Sequence, residues 1–178
     1  MLNRRNLLGA VLGVVIIGWA PAAGAAAARR HHRAHATAGA AVVLSKVAVS
    51  AGSKTVKTAA LVNSSGHAVY MLTGDSTKHP KCTSKGCHAI WPALTSSVKK
   101  PALGKGIKGT LSVWRHNGVS QLVLDGHPLY TFSGDARPDT AKGEGLRSFG
   151  GTWKVLGASG AAASVASAGG SGHSGSGW

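Results

Sequence analysis

Short apolar runs separated by turn residues cover the middle of the chain. Leu111–His116 and Val119–Leu124 flank the dipeptide Asn117-Gly118, which suits a type I′ hairpin because both central positions of that turn need positive φ. Asp125-Gly126 offers a second tight turn into the apolar run 128–133. The pattern therefore predicts a three-stranded antiparallel meander.

The first half of the chain has a similar pattern. Ala59–Val62 and Ala68–Thr73 are apolar runs on either side of the turn residues 63–66, and this arrangement predicts a matching hairpin. No amphipathic helical stretch of useful length occurs between them and the meander. We therefore expect an all-β fold.

A ten-residue phrase occurs twice, at a constant offset of 60 residues. Residues 66–75 read Gly-His-Ala-Val-Tyr-Met-Leu-Thr-Gly-Asp, and residues 126–135 read Gly-His-Pro-Leu-Tyr-Thr-Phe-Ser-Gly-Asp. A tryptophan follows each copy, and a fixed period of this kind indicates structural units that need each other. We expect two homologous hairpin or meander repeats, about 58–98 and 110–157, that close on one core as a small barrel or sandwich.

The termini differ in composition from this core. An arginine pair, an uncharged apolar run and a stretch of small residues indicate a signal peptide over residues 1–28. Residues 29–57 are basic and rich in His and Ala, which predicts a linker. Residues 158–178 are almost entirely Gly, Ser and Ala, which predicts a disordered tail. This division leaves residues 58–157 as the folded two-repeat domain.

The N-terminal segment predicts the location of the protein. Its arginine pair fits both an ordinary secretory signal and a loose twin-arginine pattern. An uncleaved anchor is the alternative, since about 20 apolar residues can span a bilayer, but the second half of the run is mostly weakly apolar Ala. We expect a protein that is secreted or held in the cell envelope, without a stable transmembrane span after cleavage. No Cys follows the run, so we expect no lipid anchor.

The charge balance indicates the class of partner. The chain has 20 Lys and Arg against 5 Asp and Glu, and such an excess attracts anionic polymers and surfaces. The basic residues are spread along the chain without an interleaved aromatic–basic motif, so no specific nucleic-acid recognition is expected. The expected partner is an anionic envelope polymer, a membrane surface or another protein.

Two Tyr–Asp pairs are the first candidates for a site. Tyr70 and Tyr130 each precede an Asp by five positions, Asp75 and Asp135, with a glycine in the turn between them. Each Asp can lock its turn by accepting backbone N–H groups, while each Tyr buries its ring and hydrogen-bonds through its hydroxyl. The alternative is that both carboxylates meet at one ligand, where two carboxylates could also perform acid–base hydrolysis.

A repeated histidine gives a second candidate. His67 and His127 each follow a turn glycine. They could meet as metal ligands, or each could donate a hydrogen bond to a backbone carbonyl at the edge of its turn. We expect no cofactor.

Two cysteines give a third candidate. Cys82 and Cys87 are the only pair in the chain, and in an exported protein such a pair indicates a disulfide. His79 and His88 make zinc an alternative, although the usual Cys-x2-Cys spacing is missing.

Catalytic signatures are absent from the sequence: it contains no nucleophile, metalloprotease, Walker-type or dinucleotide-binding motif. The leading hypothesis is therefore an exported non-catalytic module that binds an anionic surface or a protein partner. The alternatives are a metal- or haem-binding redox accessory, motivated by nine His, and a hydrolase that uses the paired Asp.

The combination of these motifs resembles the bacterial secreted repeat family, whose members are often lipoproteins with a Tyr-x-aromatic-x-x-Asp motif. The resemblance covers roughly residues 58–157 and implies an exported, repeat-built domain with no established activity. It implies that the family's motif and cysteine residues are Tyr70, Asp75, Tyr130, Asp135, Cys82 and Cys87. The chain departs from the family where Leu72 replaces the aromatic of the first motif, and where the lipid-modified Cys is missing.

Overall fold

The computed structural model describes residues 40–165. Within this range the chain forms ten β-strands and one short helix. In chain order they are β1 (Ala40–Ala51), β2 (Lys54–Asn63), β3 (Tyr70–Leu72), α1 (Lys85–Ile90), β4 (Ala102–Leu103), β5 (Leu111–His116), β6 (Val119–Leu124), β7 (His127–Pro128), β8 (Thr140–Ala141), β9 (Arg147–Ser148) and β10 (Gly151–Val155).

The strands form three sheets. The first has the order β2-β1-β4, with β8 also paired to β1; the second is β3-β10-β9; and the third is β5-β6-β7. The described residues contain no closed barrel. The all-β prediction is therefore confirmed, whereas the barrel alternative is wrong. None of the helices in the described range is long and apolar enough to cross a membrane.

The predicted meander is confirmed for its first two strands, whereas the third, predicted over residues 128–133, is limited to β7 (His127–Pro128). β5 and β6 begin and end at the predicted residues, and Asn117 and Gly118 between them have φ of 47° and 76°. Asp125 and Gly126 follow with φ of 49° and 86°, and they lead into β7, which pairs antiparallel with β6. Positive φ at both central positions is the signature of the turn that matches strand twist.

The predicted linker over residues 29–57 is wrong from residue 40 onward. β1 and β2 form a long antiparallel hairpin in register from Val42 opposite Asn63 to Ala51 opposite Lys54. Val47 and Val49 on β1 are fully buried. The alternating Val residues line one face of this strand, but the Ala, Ser and Lys between them give the segment the composition of a linker. Residues 29–39 lie outside the described range.

The predicted tail over residues 158–178 is also wrong in its first part. The Gly157 N–H donates to the Ala161 carbonyl at 2.8 Å, and the Ala163 N–H donates to the Val155 carbonyl at 2.8 Å. The chain therefore turns back on β10, and Ala163 is buried against the core. Residues 166–178 and the predicted signal peptide over residues 1–28 lie outside the described range.

The two repeats exchange strands. In the first half, Leu61 donates to the Leu156 carbonyl at 2.8 Å, Leu156 to Val69 at 3.0 Å, and Val69 to Leu61 at 2.9 Å. This closed ring of backbone hydrogen bonds joins Leu61 and Val69 of the first repeat to Leu156, which follows the tryptophan of the second repeat.

The second half contains the matching ring. Leu122 donates to the Leu94 carbonyl at 2.7 Å, Leu94 to Leu129 at 2.9 Å, and Leu129 to Leu122 at 2.9 Å. Here the hairpin belongs to the second repeat and Leu94 follows the tryptophan of the first. Each repeat thus completes the hydrogen bonding of the other.

A pseudo-twofold axis passes between the two tyrosines of the phrase. The Tyr70 N–H donates to the Tyr130 carbonyl at 2.9 Å, and the Tyr130 N–H donates to the Tyr70 carbonyl at 3.0 Å. Because the same residue of each repeat lies opposite its counterpart in an antiparallel bridge, the contact is self-complementary, as in a twofold dimer interface.

The core has two clusters, and both repeats contribute to each. One cluster is aliphatic and contains the six residues of the two hydrogen-bond rings: Leu61, Val69, Leu94, Leu122, Leu129 and Leu156. The other is aromatic and contains Tyr70, Trp91, Tyr130 and Trp153. Burying one such large side chain contributes roughly 1.5–3 kcal/mol, and much of that burial is supplied by the opposite repeat.

Candidate functional site

The Tyr–Asp pairs connect the repeats to each other. The Tyr70 hydroxyl donates to Oδ2 of Asp135 at 2.7 Å, and the Tyr130 hydroxyl donates to Oδ2 of Asp75 at 2.8 Å. Each tyrosine therefore pairs with the aspartate of the other repeat, not with the aspartate five positions along its own strand. We call this arrangement of four side chains the crossed Tyr–Asp centre.

The second oxygen of each carboxylate holds a turn. Oδ1 of Asp75 accepts the Lys81 N–H at 2.7 Å, and Oδ1 of Asp135 accepts the Lys142 N–H at 2.8 Å. The predicted turn-locking role is thus what the geometry shows. The hydroxyl of Tyr70 also accepts the Gly143 N–H at 3.2 Å.

Burial changes the proton affinities of this centre. Desolvation, followed by the charge of and hydrogen bond to Asp135, raises the pKa of Tyr70 far above its ordinary value. Desolvation and Asp75 do the same to the pKa of Tyr130. Desolvation also raises the pKa of Asp135, against the hydrogen bonds from Lys142 and Tyr70 and the nearby charge of His67. Both phenols therefore remain protonated donors across the physiological pH range.

This geometry is that of a structural lock. Asp75 and Asp135 are only 1% and 3% exposed, and both oxygens of each carboxylate have a protein partner. Neither carboxylate is presented to a substrate as a general acid or base, so the centre offers the hydrolase alternative no accessible group. No buried side-chain polar atom among residues 40–165 lacks a partner.

Two tryptophans pack beside the centre and repeat its symmetry. Trp91 and Trp153 stack with ring centroids 3.8 Å apart and planes 6° from parallel. Tyr70 meets the edge of Trp91 at 5.4 Å, and Tyr130 meets the edge of Trp153 at 5.2 Å. A side chain at Gly143 would collide with Trp91 and Tyr70, which explains a glycine at that position.

The two repeated histidines are not equivalent. Nδ1 of His127 lies 2.8 Å from the carbonyl oxygen of Asp75, so this nitrogen donates, as the turn-edge interpretation predicts. His67 is half-buried and close enough to Asp135 to lower its pKa. No group of three or more His, Cys, Asp or Glu in the described part of the chain is arranged to hold a metal ion.

The cysteines form the predicted disulfide. Cys82 and Cys87 are bonded, with Cα atoms 5.5 Å apart, and both are buried. Cys87 lies in α1, whose N-cap Ser84 accepts the Cys87 N–H at 3.1 Å. With both thiols in the disulfide, the zinc alternative is wrong.

A buried glutamate that the sequence analysis missed holds the corresponding part of the second repeat. Glu144 is 7% exposed, accepts the Val155 N–H at 2.7 Å and pairs with Lys154 at 2.9 Å. It is the single Glu of the chain, but nothing in the local sequence indicates that it is buried.

A cationic depression lies apart from the crossed Tyr–Asp centre and was also missed. It is open to solvent, encloses about 850 Å³ and is lined by Lys99, Lys100, Pro101, Leu111, Ser112, Val113 and Arg115. The adjacent Lys99 and Lys100 were visible in the sequence. Their approach to Arg115, on a strand of the second repeat, was not.

The comparisons with known proteins agree with the repeat interpretation. No curated protein and no solved structure matches the chain. A lipoprotein family model described as a secreted repeat of unknown function matches residues 111–156, which contain Tyr130, Asp135, Glu144 and Trp153. The predicted resemblance is thereby confirmed over this stretch: residues 111–156 are similar to the family of secreted repeats of unknown function.

Proposed function

We propose that the protein is an exported, non-catalytic module that binds anionic polymers or anionic surfaces of the cell envelope through its Lys and Arg side chains. The observation that carries this proposal is the location of the carboxylates. The chain has five of them, and every one accepts a hydrogen bond from within the fold.

Three of the five are the buried groups described above, Asp75, Asp135 and Glu144. The other two hold loops: Asp125 accepts the Thr110 N–H at 2.7 Å, and Asp139 accepts the Ser45 hydroxyl at 2.6 Å. The three buried carboxylates therefore serve the fold, and only the exposed Asp125 and Asp139 place negative charge at the surface.

Most basic side chains of residues 40–165 are exposed. Lys154 is half-buried, and it pairs with Glu144 at 2.9 Å. With a formal net charge of +15, the surface attracts polyanions over several ångströms, and this attraction is screened by salt. The similarity of residues 111–156 to a secreted repeat family supports contact with envelope polymers.

The burial of both paired carboxylates supports the non-catalytic part of the proposal. The two Tyr–Asp pairs, Tyr70–Asp135 and Tyr130–Asp75, hold the two halves together.

Binding to immobilised polyanions as a function of salt tests the proposal. The purified protein should bind inorganic polyphosphate or polyglutamate at low ionic strength and lose affinity steeply as salt rises. The reason is that each Lys or Arg that binds the polyanion releases counterions that were associated with it. Neutral dextran is the matched control polymer. Absence of polyanion binding at low salt, or binding that is insensitive to salt, would contradict the proposal.

A further inference from the structure

We propose that the cationic depression is a discrete binding site for a linear polymer that carries phosphate groups. This inference rests on the proposed function and assigns it to one place on the surface. The site is lined by the cations Lys99, Lys100 and Arg115 together with the aliphatic Leu111 and Val113.

The side chains of β5 explain why the depression combines charge with an apolar floor. Leu111, Val113 and Arg115 alternate along the strand and therefore share one face. The two aliphatic residues are half-buried and pack against the aliphatic core cluster. Arg115 is exposed, and its Nη1 donates to the Ser120 hydroxyl on β6 at 3.2 Å. This contact supports one side of the guanidinium and leaves its other donors for a ligand.

The charge of the depression is uncompensated. Three cations line it and no carboxylate does, because the chain's five carboxylates are engaged elsewhere. Bringing three like charges to one depression is unfavourable unless an anion lies between them. The depression is thus complementary to a ligand with several negative charges.

The donor types favour phosphate over carboxylate. A guanidinium presents a planar fork that matches two phosphate oxygens, and lysines add point charges from other directions. A phosphate group offers several acceptor oxygens to such a convergent set. The apolar floor fits the uncharged segments between phosphates.

The shape favours a polymer. The depression is open to solvent along β5, which is the edge strand of its sheet within the described residues. The corresponding strand of the first repeat, β1, is covered by β4 and β8. A chain-like ligand can therefore extend beyond the depression beside β5, whereas the matching edge of the first repeat is occupied.

The test compares two triple variants that remove the same charge. The site variant carries Lys99→Ala, Lys100→Ala and Arg115→Ala; the control carries Lys46→Ala, Lys57→Ala and Lys85→Ala, all exposed positions away from the depression lining. Titration calorimetry with inorganic polyphosphate should show a loss of affinity of about tenfold or more for the site variant. Its plot of log affinity against log salt should be shallower by about one per cation that contacts phosphate. The control should lose much less affinity.

Four outcomes separate the inference from the proposed function. Equal losses in both variants would overturn the discrete site and leave diffuse polyanion binding intact, whereas no binding by the unmodified protein would overturn both. Equal affinity for polyglutamate would overturn the phosphate preference. If the protein binds vesicles containing phosphatidylglycerol but not polyphosphate, the phosphate belongs to a lipid headgroup, and the proposal of a polymer ligand is overturned.

The single variant Arg115→Lys tests the role of the guanidinium with a smaller change than the triple variant, and so with less risk to folding. It retains the charge but removes the planar fork, so we expect weaker polyphosphate binding and an unchanged melting temperature. Affinity equal to that of the unmodified protein would contradict the role of Arg115 in recognising phosphate.

Discussion

The two repeats have the same order of motifs, but the segment between Asp and Trp is stabilised differently in each. The first repeat closes it with the Cys82–Cys87 disulfide and α1. The second has no cysteine and uses the buried Glu144 instead, which accepts Val155 and pairs with Lys154. A covalent bond and a charged hydrogen-bond network thus occupy equivalent parts of the repeat.

What does not differ between the halves is the contact across the pseudo-twofold axis. The crossed Tyr–Asp centre, the stacked tryptophans and the two backbone rings all join one repeat to the other. The comparison indicates that the contacts between repeats define the fold, whereas the local fastenings within each repeat can be exchanged.

The largest expected effect is the loss of a central tryptophan. Trp91→Ala and Trp153→Ala should each lower the free energy of unfolding by about 3–5 kcal/mol, because each leaves a cavity and exposes the stacked partner. Since the two rings contact each other, the double variant should cost less than the sum of the single losses. Chemical denaturation measures all three. Strict additivity would contradict a shared aromatic core.

Alkaline pH should unfold the protein through its tyrosines. Their pKa values are raised in the folded state, so their stabilisation is fully present below the unfolded value near 10 and is lost as pH rises above it. The loss is about 1.4 kcal/mol per pH unit for each tyrosine. Tyr70 and Tyr130 are the only tyrosines in the chain, so absorbance of tyrosinate reports on this centre alone.

The matched controls are Tyr70→Phe and Tyr130→Phe. Each should reduce the steepness of the alkaline transition while lowering stability at neutral pH by about 1–3 kcal/mol, since a buried carboxylate loses one partner. Tyrosinate absorbance that appears near pH 10 without loss of structure would show that the hydroxyls are accessible, which contradicts the crossed centre.

Smaller effects should distinguish the two fastenings. Reducing the disulfide, or substituting both cysteines by Ala, should cost about 2 kcal/mol because the closed loop is short. Glu144→Gln should cost about 1 kcal/mol, as the amide oxygen can still accept the Val155 N–H but the charge is lost. Thermal melts with and without reductant measure both. A reductant effect in the double-cysteine variant would contradict the assignment to Cys82–Cys87.

The smallest expected effect concerns the repeated histidines. His127→Ala removes a hydrogen bond to the Asp75 carbonyl and should cost about 1 kcal/mol. His67→Ala removes no described hydrogen bond and should cost less. Equal losses at the two positions would show that the halves are more symmetrical here than the structure indicates.

Local turn chemistry made much of the second repeat predictable. Asn117-Gly118 and Asp125-Gly126 need positive φ and have it, so β5, β6 and β7 could be placed from their neighbours in sequence. Cys82 and Cys87 were similarly readable, because an isolated pair in an exported chain has few other uses. β1 was not predicted as a strand, because the Ala, Ser and Lys residues between its buried valines give the segment the composition of a linker.

By itself, the sequence determined the all-β class, the doubled unit, its turns and its disulfide, because each depends on residues close together in the chain. Only the tertiary structure decided which copy each contact belongs to. From the sequence, Tyr70 could pair equally well with Asp75 or Asp135. Because the two phrases are equivalent, the sequence does not distinguish a pairing within one repeat from a pairing between repeats. The exchange is visible only once Leu94 and Leu156 lie against the opposite hairpins. Burial of Glu144 beside Val155, and the approach of Lys99 and Lys100 to Arg115, likewise depend on segments that are separate in the sequence and meet only in the folded chain.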